Sequence, residues 1–132
     1  RVRVMQSKDL NLHSLKAISP IDGRHRIMTE PLSEWFSEFA LFKYRLQMQI
    51  EYAIALSELS NFEAMRTFTE EEKRFLRRLG DDFSLEDAQM IQDLDRFGYN
   101  GIGPTNHDFK AVEYFLKMKM KENTSVNLFE KK

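Results

Sequence analysis

Asn106, His107 and Asp108 stand side by side immediately before an apolar run. A carboxamide, an imidazole and a carboxylate at one place can bind a polar ligand, orient it and move a proton. Only the histidine has an unperturbed pKa near neutrality, about 6.5, so His107 is the candidate for assisting proton movement. The run Thr105-Asn106-His107-Asp108-Phe109-Lys110-Ala111-Val112-Glu113-Tyr114-Phe115-Leu116-Lys117 follows Gly101-Ile102-Gly103-Pro104. Its Phe109, Val112, Phe115 and Leu116 recur at three- and four-residue spacing, which predicts a helix with those four on its buried face. Thr105 or Asn106 is expected to cap that helix, with Asp108 in the first turn near the positive end of the dipole. A helix start also presents unpaired N–H groups to an anion. Plain capping chemistry with a solvent-facing histidine is the competing reading of the same residues.

A second cluster, Arg24-His25-Arg26, follows Ser19-Pro20-Ile21-Asp22-Gly23. Pro20 disfavours helix for Ser19, and Asp22-Gly23 signals a turn, so a shaped loop is expected. A guanidinium on a tight turn makes a planar clamp for phosphate or carboxylate, although an ordinary charged turn would look the same.

Helices must carry both clusters. Residues 1–14 show no sustained period and are expected to form a loose arm ahead of a helical domain over 15–132. From Thr29 the pattern turns helical, with Pro31 suited to a first turn and Trp35, Phe39, Phe42, Leu46, Ile50 and Ala53 at steps of three and four. Phe36, Ala40 and Tyr44 add a neighbouring stripe, and the whole run to Leu59 predicts one core helix of roughly 40 Å. Thr69-Glu70-Glu71-Glu72 has the form of a capping box, starting a helix that ends at Gly80 and faces inward with Phe75, Leu76 and Leu79. Ser84 is expected to cap the next helix, with Leu85, Ala88, Ile91 and Leu94 inward and an end near Gly98. The alternation Lys117-Met118-Lys119-Met120-Lys121 suits the C-terminus of the last helix, broken by Asn123-Thr124-Ser125. No strand is expected: the fold class is all-α, with about four to five helices.

Twenty basic against twenty-one acidic residues leave a formal charge of −1, so no general attraction for nucleic acid or an anionic membrane is expected. The absence of cysteine excludes disulfides and thiolate metal sites. No apolar run approaches the roughly 20 residues needed to span a bilayer, and a cytoplasmic location is expected.

Thr105–Lys117 resembles the substrate-binding segment of the adenylosuccinate lyases, where a T-N-H-D-x-K-A-V-E-Y-F-L run opens a helix. Ser19–Arg24 is similar to their S-P-x-D-G-R-Y motif, with His25 where tyrosine is usual. Phe36–Tyr52 resembles their F-S-E-Y-A-L-x-K-Y-R-x-x-V-E-x-E-Y stretch, so the likeness runs from about Leu15 to Lys121. It implies the N-terminal helical domain of the fumarase/aspartase-type lyase fold, without the central long-helix bundle. It implies a homotetrameric enzyme with no metal or organic cofactor that eliminates fumarate from adenylosuccinate, giving AMP, and from the succinyl-carboxamide ribonucleotide of purine synthesis. Arg24 and His25 would hold the nucleotide, while Asn106, His107 and Asp108 would bind and orient the substrate.

The family's T-S-E-D segment, its T-H-x-Q segment with the acid histidine and its S-S-x-M-P-x-K-x-N loop with the base serine are not in this sequence. The expectation is therefore a fragment of a longer enzyme without turnover of its own. The alternative is a non-catalytic helical interaction module on the lyase scaffold, docking through the exposed side of the Trp35–Ala53 helix.

Overall fold

A computed structural model describes residues 13–59 and 66–122. Most of the expected arm and the Asn123-Thr124-Ser125 stop lie outside them. The chain divides into two compact units between Ser37 and Glu38.

The first unit is a string of turns. A 3-10 turn at Ser14–Lys16 leads to the Pro20–Gly23 loop, then to α1 (Arg26–Thr29), a 3-10 turn at Glu30–Leu32 and α2 (Ser33–Phe36). None of its described residues is buried, so local hydrogen bonds set its shape. Asp22 Oδ1 accepts the Ser19 N–H at 2.9 Å and Ser19 Oγ accepts the Ile21 N–H at 3.0 Å. These are the side-chain-to-backbone bonds by which Ser and Asp favour turns over helix. Thr29 Oγ1 ties α1 back to the loop by donating to the Ile21 carbonyl at 2.9 Å.

The single long helix expected from Thr29 to Leu59 is broken at Ser37, whose ψ of 169° is extended. Ser37 Oγ donates to the Ser33 carbonyl at 2.5 Å, an i−4 back-bond that competes with helix propagation. The aromatic stripe is split with it. Trp35 and Phe36 are 64% and 85% exposed rather than core, while Phe42, Leu46 and Ile50 beyond the break are buried and Phe39 and Ala53 partly so.

The second unit is helical. It holds α3 (Glu38–Glu58), α4 (Glu70–Asp81), α5 (Leu85–Arg96) and α6 (Asp108–Glu122). At 1.5 Å per residue α3 is about 31 Å long, and it packs against all three of the others, while α5 packs on α6. Phe42, Leu46, Ile50 and Ile54 from α3 meet Leu76, Ile91, Leu94, Val112, Phe115 and Leu116 in one core. Phe83, in the α4–α5 turn, bridges its ends with ring centroids 5.3 Å from Phe39 and 6.2 Å, edge-on, from Phe115.

The expected capping box at Thr69 and the expected cap at Ser84 both form, and the second proves to be a capping box as well. Thr69 and Glu72 exchange side-chain and backbone bonds at the start of α4, as do Ser84 and Asp87 at α5. Glu72 is buried, and Arg66 grips both its oxygens at 2.8 and 2.5 Å. Those bonds hold the Glu72 carboxyl below the usual carboxylate range against the opposing effect of burial. Leu85 departs from expectation: as the first residue of α5 it is 71% exposed rather than in the core. Among the described residues the all-α expectation holds, with an isolated bridge between Tyr99 and Ile102 as the sole extended pairing.

Candidate substrate site

The start of α6 is built on the end of α5. The last carbonyls of a helix have no partner within it. Here Asp93 O accepts from Phe97 and Gly98 at 2.8 and 2.9 Å, and the chain turns away through Gly98 at φ 81°. Tyr99 and Ile102 then exchange two backbone bonds of 2.9 Å around Asn100 and Gly101, at φ 49° and 80°. Positive φ at both central residues is a type I′ turn, the geometry that Asn-Gly favours. The chain comes back so that Thr105 N–H donates to Leu94 O at 3.1 Å and Asn106 N–H to Asp95 O at 3.0 Å. The residues that open the site thus close the end of the preceding helix.

The expected caps, Asn106 and Thr105, sit two and three residues ahead of the first helical residue, Asp108. The His107 carbonyl accepts the first helical bond, from Ala111 at 3.0 Å, so His107 rather than Thr105 or Asn106 stands at the boundary. The Thr105 hydroxyl accepts the His107 N–H at 3.4 Å and lies 3.1 Å from the His107 carbonyl and 3.2 Å from Asp95 Oδ1, either of which can take its proton. Asn106 has φ 48°, a left-handed conformation that asparagine tolerates better than most residues, so backbone shape gives one reason for its identity.

The three side chains differ in their engagement. The His107 side chain is 68% exposed, its Nδ1 3.9 Å from Asp108 Oδ1. Asp108 is half-buried and occupied: Arg45 Nη1 on α3 pairs with its Oδ2, and Phe109 N–H donates to its Oδ1 at 2.7 Å. Arg45 foremost, with the Phe109 N–H and His107 adding to it, holds the Asp108 carboxyl below its ordinary range. Phe109, expected on the buried face, is 38% exposed, because it lies in the first turn where α6 emerges beside α3, while Val112, Phe115 and Leu116 are buried. One turn further on, Glu113 is drawn below the ordinary carboxylate range first by Lys110 and then by Lys117, at 2.8 and 2.6 Å.

Arg24 and His25 lie in the first unit, on the exposed turn the sequence indicates. Pro20 O accepts the His25 N–H at 3.0 Å and Gly23 O the Arg26 N–H at 3.2 Å, fixing the backbone beneath them. Arg24 Nε donates to His25 Nε2 at 3.1 Å, which sets the imidazole beside the guanidinium. Arg24 borders a shallow concavity of about 300 Å³ with Ser14, Leu15, Ala17, Ile18, Ser19 and Pro20. Two residues absent from the sequence-based set are Arg45 and Gln49, whose Nε2 donates to the Phe109 carbonyl at 3.2 Å. Both act from α3, some 60 positions away in the chain, and no local pattern links them to α6. A groove of about 510 Å³, mainly apolar, also runs between α3 and α6, lined by Met48, Tyr52, Ala53, Leu56, Phe109, Leu116 and Met120 among others.

No family model matches the chain. Individual relatives do. The adenylosuccinate lyase of Dictyostelium discoideum is 45% identical over 113 residues, 85% of this chain and 23% of that protein. Those of Legionella pneumophila (strain Corby) and Escherichia coli (strain K12) are 39% and 36% identical over 114 and 113 residues, 86% of this chain in each case and 24% and 23% of their own lengths. The chain spans about a quarter of the length of the curated relatives it matches. Over that span it belongs to the adenylosuccinate lyase family.

Proposed function

We propose that this chain is the substrate-binding N-terminal part of an adenylosuccinate lyase. The enzyme it would serve eliminates fumarate from adenylosuccinate, leaving AMP, and from the related succinyl-carboxamide ribonucleotide of purine synthesis. The observation that carries the reading is the Thr105–Lys117 run at the head of α6, within a chain 45% identical to a lyase of that name over 85% of its own length.

Elimination of fumarate requires a base to take the proton beside a carboxylate, an acid for the departing nitrogen and support for the charge between them. In this reading these residues supply binding and orientation. Arg24 offers its fork to the nucleotide's phosphate, oriented by His25. Asn106 and His107 stand on a helix start whose dipole favours an anionic substrate, and His107 assists proton movement. The serine base and the acid histidine belong to segments this sequence does not contain, so turnover is not expected of these 132 residues alone. The complete enzyme would be a cytoplasmic homotetramer needing no cofactor.

Calorimetric titration with AMP and with adenylosuccinate tests the reading. Weak binding that is lost in Arg24→Ala or in His107→Ala is the expected result. Binding indifferent to both substitutions, or no binding at millimolar ligand, would sink it. The apolar groove between α3 and α6 favours a second reading, a non-catalytic interaction module, which expects no nucleotide binding at either cluster.

A further inference from the structure

Asp108 is among the residues that the family likeness puts on substrate, yet both of its oxygens are already engaged. One takes Arg45 Nη1, reaching across from α3, and the other takes the Phe109 N–H. Gln49, one turn along α3 from Arg45, holds the Phe109 carbonyl at 3.2 Å. The first turn of α6 is therefore gripped by α3 at two points, while Thr105 and Asn106 just before it are held by α5. Between these anchors the His107 ring is left free to meet a ligand, at 68% exposure.

The geometry points to Arg45 as a positioning residue that keeps Asp108 as a buttress, so that His107 is presented to a purine-nucleotide substrate at a fixed place and angle. The inference rests on the substrate-binding reading above. Without Arg45 the Asp108 carboxylate is free to rotate toward His107 Nδ1, now 3.9 Å from its other oxygen, and to draw the imidazole onto itself. The pair has little else to do. Its side chains are 26% and 42% exposed, and ion pairs so placed add little to stability. A guanidinium also fixes direction in a way an exposed carboxylate with water cannot, because its donors are planar.

The experiment is adenylosuccinate titration of the 132-residue chain by calorimetry, with thermal unfolding alongside. Arg45→Gln is expected to bind about tenfold more weakly, the cost of roughly one charge-assisted hydrogen bond, with a melting temperature within about 3 °C of the parent. Arg45→Lys, which keeps the charge but not the planar donors, should recover only part of the loss and bind about threefold more weakly than the parent. In a His107→Gln background, Arg45→Gln should cost nothing further, since Arg45 acts through that ring. Full additivity of the two losses would overturn the inference. So would parental affinity in Arg45→Gln, which leaves the substrate-binding reading intact. No adenylosuccinate binding by the unsubstituted chain would overturn both. If Arg45→Gln does not fold, Asp108→Asn answers the same question by the same comparison.

Discussion

Replacing Gly98 with alanine attacks the connection that delivers His107 to its place. At φ 81° an L-residue is left-handed, which costs about 1–2 kcal/mol. A Cβ at this position would also lie 2.2 Å from the Ile102 carbonyl oxygen and 3.0 Å from the Gly103 carbonyl carbon. Both are backbone atoms, so relief requires opening the Tyr99–Ile102 pair, whose two hydrogen bonds are worth about 1 kcal/mol each. The sum is about 3–4 kcal/mol, a large share of the 5–15 kcal/mol that keeps a domain folded. Gly101 provides the internal control. Its φ of 80° is nearly the same, but a Cβ there meets nothing within 4 Å, so Gly101→Ala should cost about 1–2 kcal/mol. Urea unfolding followed by helical circular dichroism measures both, and the gap of about 2 kcal/mol is the quantity of interest. Equal losses in the two variants would refute the reasoning, since only the steric encounter with Ile102 separates them.

Two further outcomes follow from the packing and charge. Leu46→Ala, at a side chain with no exposed surface where α3 meets its neighbours, should cost about 3 kcal/mol, read from the urea midpoint. Glu72 has its folded pKa lowered by Arg66, so its contribution is complete above the unfolded value and is lost as pH falls through the folded one. Glu72→Gln should therefore cost about 2 kcal/mol at pH 7, and the difference from the parent should shrink as the pH is taken below about 4 in parallel unfolding curves.

Much of the second unit was legible because its signals are local. The Thr69/Glu72 and Ser84/Asp87 boxes each lie within four residues, and both helices start where those residues stand. The end of the helix before Gly98 was equally plain. The break at Ser37 was hidden because the apolar period runs straight through it, while a serine hydroxyl turned back on Ser33 decides the backbone. That break moved Trp35 and Phe36 out of the core. Leu85 and Phe109 show that periodicity predicts facing less well in a first turn, where no preceding turn exists for a side chain to lie against. The candidate residues Asn106, His107 and Asp108 were visible as types, but their unequal engagement was not. Arg45 is 63 positions from Asp108, and only folding brings α3 to the head of α6. Asn100-Gly101 is the dipeptide that a type I′ turn favours, a local signal for the turn that forms there.

The central claim is that the Arg24 and His107 clusters both bind a purine nucleotide, and amide chemical-shift mapping of the isotope-labelled chain during an adenylosuccinate titration tests it most directly. The account predicts saturable shifts at Arg24 and His25 and at Asn106, His107 and Asp108, with the α3–α6 groove residues Met48, Tyr52 and Met120 unmoved. Shifts confined to that groove, or no saturable shift at either cluster, would contradict it.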